Sequence, residues 1–511
     1  MTGAFIAGAG LFFTPMTVLM TALGCLLGIV IGVLPGLGPL MGIILLTPLA
    51  FHLPPVEAMG LLIAVYVGGS CGGAISAILV RIPGTPLAAA TLLDGHPMHL
   101  KGKSREAVGL AISASAMGGL IGGLFLVFLA PLLAAVALRF GPPEYFALTL
   151  LGLISIAVVS GEETTKGLMA GLMGLLVATV GADPFSSTYR FTFGYNPLLG
   201  GFNIVAIVVG LFALSEMFIQ ITSGHLTEKP QVPWVKTSFD SIGAALSRWV
   251  NLLRSSLIGT FFGILPGAGG VISAFTSYAV ARANSKHPEL FGTGVEDGVI
   301  ASEAANNACC GGAMIPTLAL AIPGDASTAV LMGALILLGF FPGPDLFSKH
   351  ADVVGGIFLA YIAANVFLLV LGILLTPFFV SVIKIRKSYL IPIVLLLSCI
   401  GTYAIQGSAF DLWVMLGFGV VGYILRRFDY PLAPIVIGAV LGPICESSLR
   451  RSLILSGNNV DIFFNRPISA AILIIDIALI LWIALPRGLK STIRGRAIGL
   501  MKLAPEKGGP D

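Results

Sequence analysis

Charged side chains are scarce in this sequence, where Asp, Glu, Lys and Arg together make up 10% of the 511 residues. Soluble domains carry about 25% charged residues, whereas apolar residues here reach 56%, so water is not the main solvent of the chain. The net charge of +4 is small for this length, and the basic residues lie in short loops and in the tail. We therefore expect a lipid bilayer, and no nucleic acid, as a partner.

Cysteine and histidine are also few, with six of each. The cysteines lie in apolar or small-residue segments without C-x-x-C spacing, so we expect neither a disulfide framework nor a metal site. No Ser/His, Cys/His or multi-carboxylate pattern suggests a nucleophile with its base, so an enzyme is the least favoured class. An ATP-binding loop ending at Gly102-Lys103-Ser104 would need glycine where Pro97 stands, and we expect no resident cofactor.

Apolar runs of about 20 residues, long enough to cross roughly 30 Å of hydrocarbon, recur along the whole chain, for example at 145–160, 198–221 and 468–485. The pattern predicts an all-α, polytopic membrane protein with roughly ten to twelve transmembrane helices. The 65 glycines and 31 prolines fall inside the apolar runs as well as between them. This distribution is typical of helices that pack closely or are interrupted.

The longest polar stretch divides the chain near its middle. We predict a first transmembrane repeat over 1–221, a cytoplasmic linker with an amphipathic segment over 222–249, a second repeat with C-terminal helices over 250–486, and a cytoplasmic tail over 487–511. The sidedness follows from the excess of Lys and Arg on one side of the alternating loops. The topology of residues 431–466 stays open, because two crossings there would leave Arg450, Arg451 and Arg466 outside unless residues 431–447 form a re-entrant hairpin.

A repeated motif relates the two halves. The sequence GVLPGLG at residues 32–38 reappears as GILPGAG at residues 263–269. In the same order, Gly-Gly-Ala leading to Ile-Pro-Gly occurs at residues 72–84 and again at residues 311–324. Two matches in one order predict two related halves, which we expect to be inverted repeats with Pro-Gly-interrupted helices or hairpins.

Paired helix breaks in two halves of a membrane protein point to a substrate site near the middle of the bilayer. A Pro-Gly pair stops a helix, and the released N–H groups and positive dipole ends suit a carboxylate. The alternative is that these glycines only allow close helix packing. The residues predicted to bind substrate at the breaks are Pro35, Gly36, Gly38, Gly84, Thr85, Pro266, Gly267, Gly269, Gly324 and Ser327.

Polar side chains near the breaks are further candidates. Arg81 is predicted to hold a substrate carboxylate or to pair with Asp325. Asp325, Asn306 and Asn307 are predicted to contact substrate or the coupling cation, and the bonding of an interrupted helix is the alternative role. Glu303 we expect to cap a helix or to form a salt bridge.

At these residues the chain resembles TctA, the large membrane subunit of the tripartite tricarboxylate transporter family. The likeness spans nearly the whole chain and is most specific at residues 32–38, 72–86, 303–324 and 432–455. It implies a permease of the bacterial inner membrane that works with a small TctB-like membrane subunit and a TctC-like periplasmic binding protein. Two departures, Arg81 before Ile-Pro-Gly and Asp325 after Pro-Gly, leave the particular acid open.

The resemblance also implies uptake of organic carboxylates, tricarboxylates or related acids, driven by a sodium or proton gradient. A passive anion channel is the alternative, and a membrane-embedded enzyme is a weaker one. For the mechanism we predict alternating access, with residues 83–85 and 323–327 in a moving element. The choice between sodium and protons and the oligomeric state stay open.

Overall fold

The computed structural model describes residues 2–484 apart from Pro35, residues 160–163, Pro184, Ser187, residues 223–233 and Ala268. Part of the predicted linker and the whole predicted tail therefore lie outside the described residues. Within the described ranges the only sheet is a hairpin of β1 (Gly181–Ala182) and β2 (Tyr189–Arg190), and the rest of the regular structure is helical.

Interrupted helices dominate the part of the chain before residue 223. Its α-helices are α1 (Thr2–Phe12), α2 (Pro15–Val33), α3 (Gly38–Ala50), α4 (Pro55–Val80), α5 (Leu92–Leu100), α6 (Ser104–Ala137), α7 (Pro142–Val159), α8 (Thr164–Ala178), α9 (Ile204–Val208) and α10 (Ser215–Thr222). Short 3-10 helices occupy Pro86–Ala89 and Asn196–Leu198, and a π-helical stretch, Val209–Leu214, joins α9 to α10.

The part after residue 233 also contains interrupted helices, and further helices follow them toward the C-terminus. Its α-helices are α11 (Asp240–Leu246), α12 (Trp249–Ile264), α13 (Gly269–Ala283), α14 (Glu296–Leu320), α15 (Ala326–Leu337), α16 (Pro344–Lys349), α17 (Ala351–Leu374), α18 (Thr376–Val382), α19 (Lys387–Gln406), α20 (Ala409–Arg427), α21 (Ala433–Leu455), α22 (Ile462–Asn465) and α23 (Pro467–Ala484). A 3-10 helix at Pro288–Leu290 precedes α14.

Eight helices in the described part of the chain are long and apolar enough to cross a membrane, judged by length and composition. They are α2, α4, α6, the joined α9–α10 stretch, α17, α19, α20 and α21. Shorter apolar segments lie in α3, α8, α15 and α23. The all-α, polytopic class predicted from the sequence is confirmed.

Close packing between two pairs of helices depends on glycine. A Cβ atom on Gly28 or Gly32 of α2 would lie 2.7 or 2.4 Å from a main-chain oxygen of α4. A Cβ atom on Gly259 or Gly263 of α12 would lie 2.3 or 2.4 Å from a main-chain oxygen of α14. Each first helix therefore lies against its partner with backbone touching backbone, as small residues allow in membranes.

The contacts between α4 and α14 run in opposite directions along the two helices. Tyr66, near the middle of α4, reaches Asp325 beyond the end of α14. Ser70 accepts a bond from Asn306 in the middle of α14, and Thr91, beyond the end of α4, meets Ser302 near the start of α14. The two central helices are therefore antiparallel.

The end of α21 is held by ion pairs to the loop that carries the β-hairpin. Helix α21 is continuous through Pro443, so the structure does not form the re-entrant hairpin considered for residues 431–447. Backbone N–H groups of Phe185 and Ser186, together with Arg450, lower the pKa of Asp183 to about 2. The pairs that join α21 to this loop are Arg450 to Asp183 at 2.8 Å and Arg190 to Glu446 at 2.6 Å. A separate pair joins Arg466, just before α23, to Glu144 of α7 at 2.6 Å.

Candidate functional site

The two Pro-Gly breaks have the same backbone geometry. Helix α2 ends at Val33 and is followed by Leu34 in an extended conformation (φ −80°, ψ 119°). Helix α12 ends at Ile264, and Leu265 follows with φ −79° and ψ 116°. The sequence repeat therefore encodes a repeated chain turn, because proline removes a backbone donor and the next residues leave the helical region.

Each break is tied to the second Pro-Gly motif of its own half. The N–H group of Gly36 donates to the carbonyl oxygen of Gly84 at 3.2 Å, and that of Gly267 donates to Gly324 at 2.8 Å. Gly36 and Gly267 both have positive φ, at 90° and 82°, a region that glycine adopts without strain. These crossed bonds satisfy one released donor at each break.

A cavity of about 630 Å³ lies between the two breaks. Its wall combines both halves with α10, α20 and the π-helical stretch. The described lining residues include eight that the sequence singled out, namely Gly36, Gly38, Gly84, Thr85, Gly267, Gly269, Asp325 and Ser327. The structure therefore brings these residues together at one cavity, while their contact with a substrate stays a prediction.

Three helices begin at this cavity. Gly38 and Gly269 are the first residues of α3 and α13, and Ala326 is the first residue of α15, and all three line the wall. No side chain in the described structure caps the start of α3. At α3 the uncapped N–H groups and the positive end of the helix dipole therefore face the cavity, an arrangement that favours an anion.

Asp325 caps the third of these helices and binds α4. Its carboxylate accepts the N–H of Thr328 at 2.8 Å, and the Thr328 hydroxyl accepts the N–H of Asp325 at 2.9 Å. The other carboxylate oxygen accepts the Tyr66 hydroxyl at 2.5 Å. The predicted pairing with Arg81 does not form within the described structure. Arg81 is instead an exposed left-handed residue (φ 57°) at the end of α4, outside the cavity wall.

An arginine that the sequence analysis did not select also lines the cavity. Arg426, at the end of α20, donates to Glu216 of α10, and Gln220 donates to the same carboxylate at 2.9 Å. Among the described lining residues Arg426 is the only basic one. Nothing local in the sequence indicates this place for Arg426, because only the packing of α20 against α10 brings it to the breaks.

The remaining predicted residues lie around the wall and not on it. Asn306 and Asn307 are buried in the middle of α14. The Asn306 amide donates to the Ser70 carbonyl at 3.0 Å, and its own oxygen is unpartnered within the described structure. Pro266 and Gly324 adjoin lining residues without lining the cavity themselves, and Pro35 lies outside the described residues.

Multiple membrane-length helices, two interrupted helices with matching geometry and a cavity between them define a multi-pass membrane protein of the permease class. Comparison with known proteins gives the family. Residues 18–437 match the model of the tripartite tricarboxylate transporter TctA family, and the chain belongs to that family. It is therefore the permease component of a tripartite tricarboxylate transporter.

Two relatives from Agrobacterium vitis are similar to this chain. One is described as an uncharacterized 52.8 kDa protein in the TAR-I ttuC' 3'region and is 37% identical over 450 residues, which cover 87% of this chain and 88% of the relative. The other is described as an uncharacterized protein in the TAR-II ttuC' 3'region and is 36% identical over 228 residues, covering 45% of this chain and 94% of the relative.

Proposed function

We propose that this permease carries organic carboxylates, tricarboxylates or related acids, into the bacterial cell, and that a sodium or proton gradient drives the uptake. The observation that carries the proposal is the cavity between the two Pro-Gly breaks. Its volume of about 630 Å³ falls in the range of small-molecule sites. Membership of the TctA family supports the substrate class.

The chemistry of the wall suits a substrate with several carboxylates. The starts of α3 and α13 offer backbone N–H groups, and Thr85 has a buried hydroxyl oxygen without a partner in the described structure. Arg426 offers a planar fork that can hold a carboxylate with two bonds. A bound acid would displace Glu216 from this arginine, because both compete for the same donors.

Alternating access is the proposed mechanism, with the two halves as inverted repeats. Support comes from α4 and α14, which are antiparallel, while α2 and α12 each run along their partner in the same direction. Inverted repeats of this kind let one element move against another around a fixed site. We place residues 83–85 and 323–327, with the two breaks that are hydrogen-bonded to Gly84 and Gly324, in the moving element. We place α9, α10, α19 and α20 in the scaffold.

The family implies two partners, a small TctB-like membrane subunit and a TctC-like binding protein that delivers the acid. With them we place the chain in the inner membrane, with a cytoplasmic C-terminus.

Uptake into proteoliposomes that contain all three components tests the proposal. Labelled carboxylates are offered under an imposed sodium gradient, an imposed pH gradient, or neither. We expect accumulation above the external concentration under one gradient and equilibration without it. Flux that never exceeds equilibrium under either gradient would instead identify a passive channel.

A further inference from the structure

Glu303 lies at the centre of a fully buried group of oxygen atoms that the cavity does not include. Its carboxylate accepts the Ser115 hydroxyl of α6 at 2.6 Å and the Thr91 hydroxyl that precedes α5. The Thr91 oxygen also lies 3.0 Å from the Ser302 hydroxyl, one residue before Glu303 on α14. All four residues are at most 1% exposed.

No Lys, Arg or His side chain forms a pair with Glu303 within 4.0 Å in the described structure, and the residue lies inside α14 and not at its start. The expected roles in helix capping or a salt bridge are therefore wrong. Burial of an isolated ionised carboxylate costs far more free energy than two hydrogen bonds from hydroxyl groups contribute. A bound proton or cation must therefore neutralise Glu303.

The charged and titratable groups around Glu303 do not supply this neutralisation. On α5, Asp94 is occupied by the Tyr278 hydroxyl at 2.8 Å and by backbone N–H groups of Gly292 and Gly294 at 2.9 and 2.7 Å. On α4, Cys71 is a buried thiol. Glu303 is thus the carboxylate of this region that is available to bind a proton or a cation.

The position of this group links it to the cavity. Thr91 follows the 3-10 helix Pro86–Ala89, and Pro86 and Leu87 of that helix line the cavity wall. Ser115 and Glu303 belong to α6 and α14, which pack side by side through Gly118 and Gly122. Movement of the break-containing segment would therefore withdraw one hydroxyl from the carboxylate and change its affinity for a cation.

We propose that Glu303 and the hydroxyl groups around it form the binding site of the monovalent coupling cation, a proton or a sodium ion. This inference rests on the proposed function, and it places coupling at Glu303 instead of Asn306, Asn307 or Asp325. Carboxylate and hydroxyl oxygens are ligands that hard cations prefer, and the same carboxylate can carry a proton.

The test compares Glu303→Gln with Glu106→Gln, an exposed carboxylate on α6. Both variants are reconstituted with the partner subunits and assayed for substrate counterflow, which needs no net cation movement, and for gradient-driven accumulation. We expect E303Q to retain counterflow and to lose accumulation by about tenfold or more, within the usual range of coupling energies. E106Q should behave as wild type.

The cation is identified by what the variant changes. A sodium site predicts a half-saturating sodium concentration raised about tenfold or more in E303Q, with unchanged pH dependence. A proton site predicts loss of the pH dependence with no effect on sodium. Accumulation by E303Q with wild-type sodium and pH dependence overturns the inference. If E303Q also loses counterflow, the Thr91→Val variant provides the test instead. Unchanged sodium and pH dependence of uptake in Thr91→Val would then overturn the inference.

A readout without transport separates this inference from the proposed function. Purified wild-type protein should gain thermal stability with sodium relative to choline, or show a pH-dependent stability difference from E303Q, because a bound ion stabilises the folded state. Wild-type protein that accumulates no carboxylate but shows this effect would overturn the proposed function and leave the cation site. Absence of both effects would overturn the cation site.

Discussion

Arg426 shows how a cavity acquires a charge from a helix far away in the chain. Helix α20 brings it to the first break, where Glu216 lies so close that a Cβ atom on Gly36 would be 2.8 Å from the carboxylate. The pair holds an arginine in a partly buried place at reduced cost, because each charge offsets the other. Exchange of Glu216 for a substrate carboxylate would keep the arginine paired throughout the cycle.

Arg426→Gln is expected to raise the KM for carboxylate uptake roughly tenfold to hundredfold, since a hydrogen bond to a charged group contributes about 1.5–3 kcal/mol. Glu216→Gln should lower KM, because it frees the arginine. Initial uptake rates measure both. Arg427→Gln is the control, since the Arg427 side chain donates to the Tyr423 hydroxyl at 2.7 Å and does not line the cavity. A rise in KM for E216Q equal to that of R426Q would show that the pair serves structure alone.

Substitutions of Asp325 distinguish a role in capping α15 from a role in cation coupling. Asp325→Ala should lower the free energy of unfolding by about 1 kcal/mol, the usual contribution of an N-cap. Asp325→Asn keeps an N-cap of equal quality and should retain both stability and gradient-driven uptake. Thermal unfolding and uptake are measured in parallel. A stable D325N protein without accumulation would return the coupling role to this residue.

The residues at the breaks could be predicted from the sequence, whereas Arg426 and Glu303 could not. A Pro-Gly pair acts on its own backbone, so Gly84 and Gly267 follow from local chemistry. The roles of Arg426 and Glu303 depend on which helices pack against theirs. Arg81 is the converse case, because its charge is evident in the sequence while its exposure at the end of α4 is not, and its contact with a substrate stays a prediction.

At the scale of the elements, the first break depends on the absence of a side chain at Gly84. A Cβ atom there would lie 2.1 Å from the carbonyl oxygen of Gly32 and 3.0 Å from the Cα of Gly73. Both obstacles are backbone, so they cannot rotate away. The turn after α4 therefore lies directly on α2, and the two Pro-Gly motifs form one unit.

Gly84→Ala should destabilise the protein by about 1–3 kcal/mol, as overpacking of a close-packed interior does, and should reduce uptake through displacement of the break. Gly417→Ala in α20 is the control, because a Cβ atom there meets nothing within 4 Å. Thermal unfolding in detergent measures both variants. Equal melting temperatures for G84A and G417A would contradict the close approach.

At the scale of the molecule, the proposed transport cycle requires the break-containing element to move against α19 and α20. A contact between them is available, since a Cβ atom on Gly401 of α19 would lie 3.2 Å from the Cβ of Pro48 in α3. This separation is a few tenths of an ångström shorter than the about 3.5–4.5 Å between the Cβ atoms of a disulfide, so a small shift of α19 would accommodate the bond. A bridge here would join the proposed scaffold to the proposed moving element.

Cysteines at positions 48 and 401, in a background with Cys399 replaced, should abolish uptake on oxidation and restore it on reduction. The control bridge joins positions 214 and 419, where a Cβ atom added at Gly419 of α20 would lie 2.8 Å from that of Leu214. Leu214 ends the π-helical stretch that joins the scaffold helices α9 and α10. Uptake is assayed after each treatment. Full uptake with the 48–401 bridge closed would refute motion at this contact.

Helix α6 has 34 residues and, at 1.5 Å per residue, extends roughly 50 Å, beyond the roughly 30 Å depth of hydrocarbon. Its outward stripe of Leu124, Phe128, Leu132 and Val136 occupies only the later part. A thinner or thicker bilayer would therefore change the tilt of α6, the helix that contains Ser115. Because the Ser115 hydroxyl donates to the Glu303 carboxylate, such a change would alter the affinity of Glu303 for the proposed cation. The energetics of import would then depend on the acyl-chain length of the surrounding lipids.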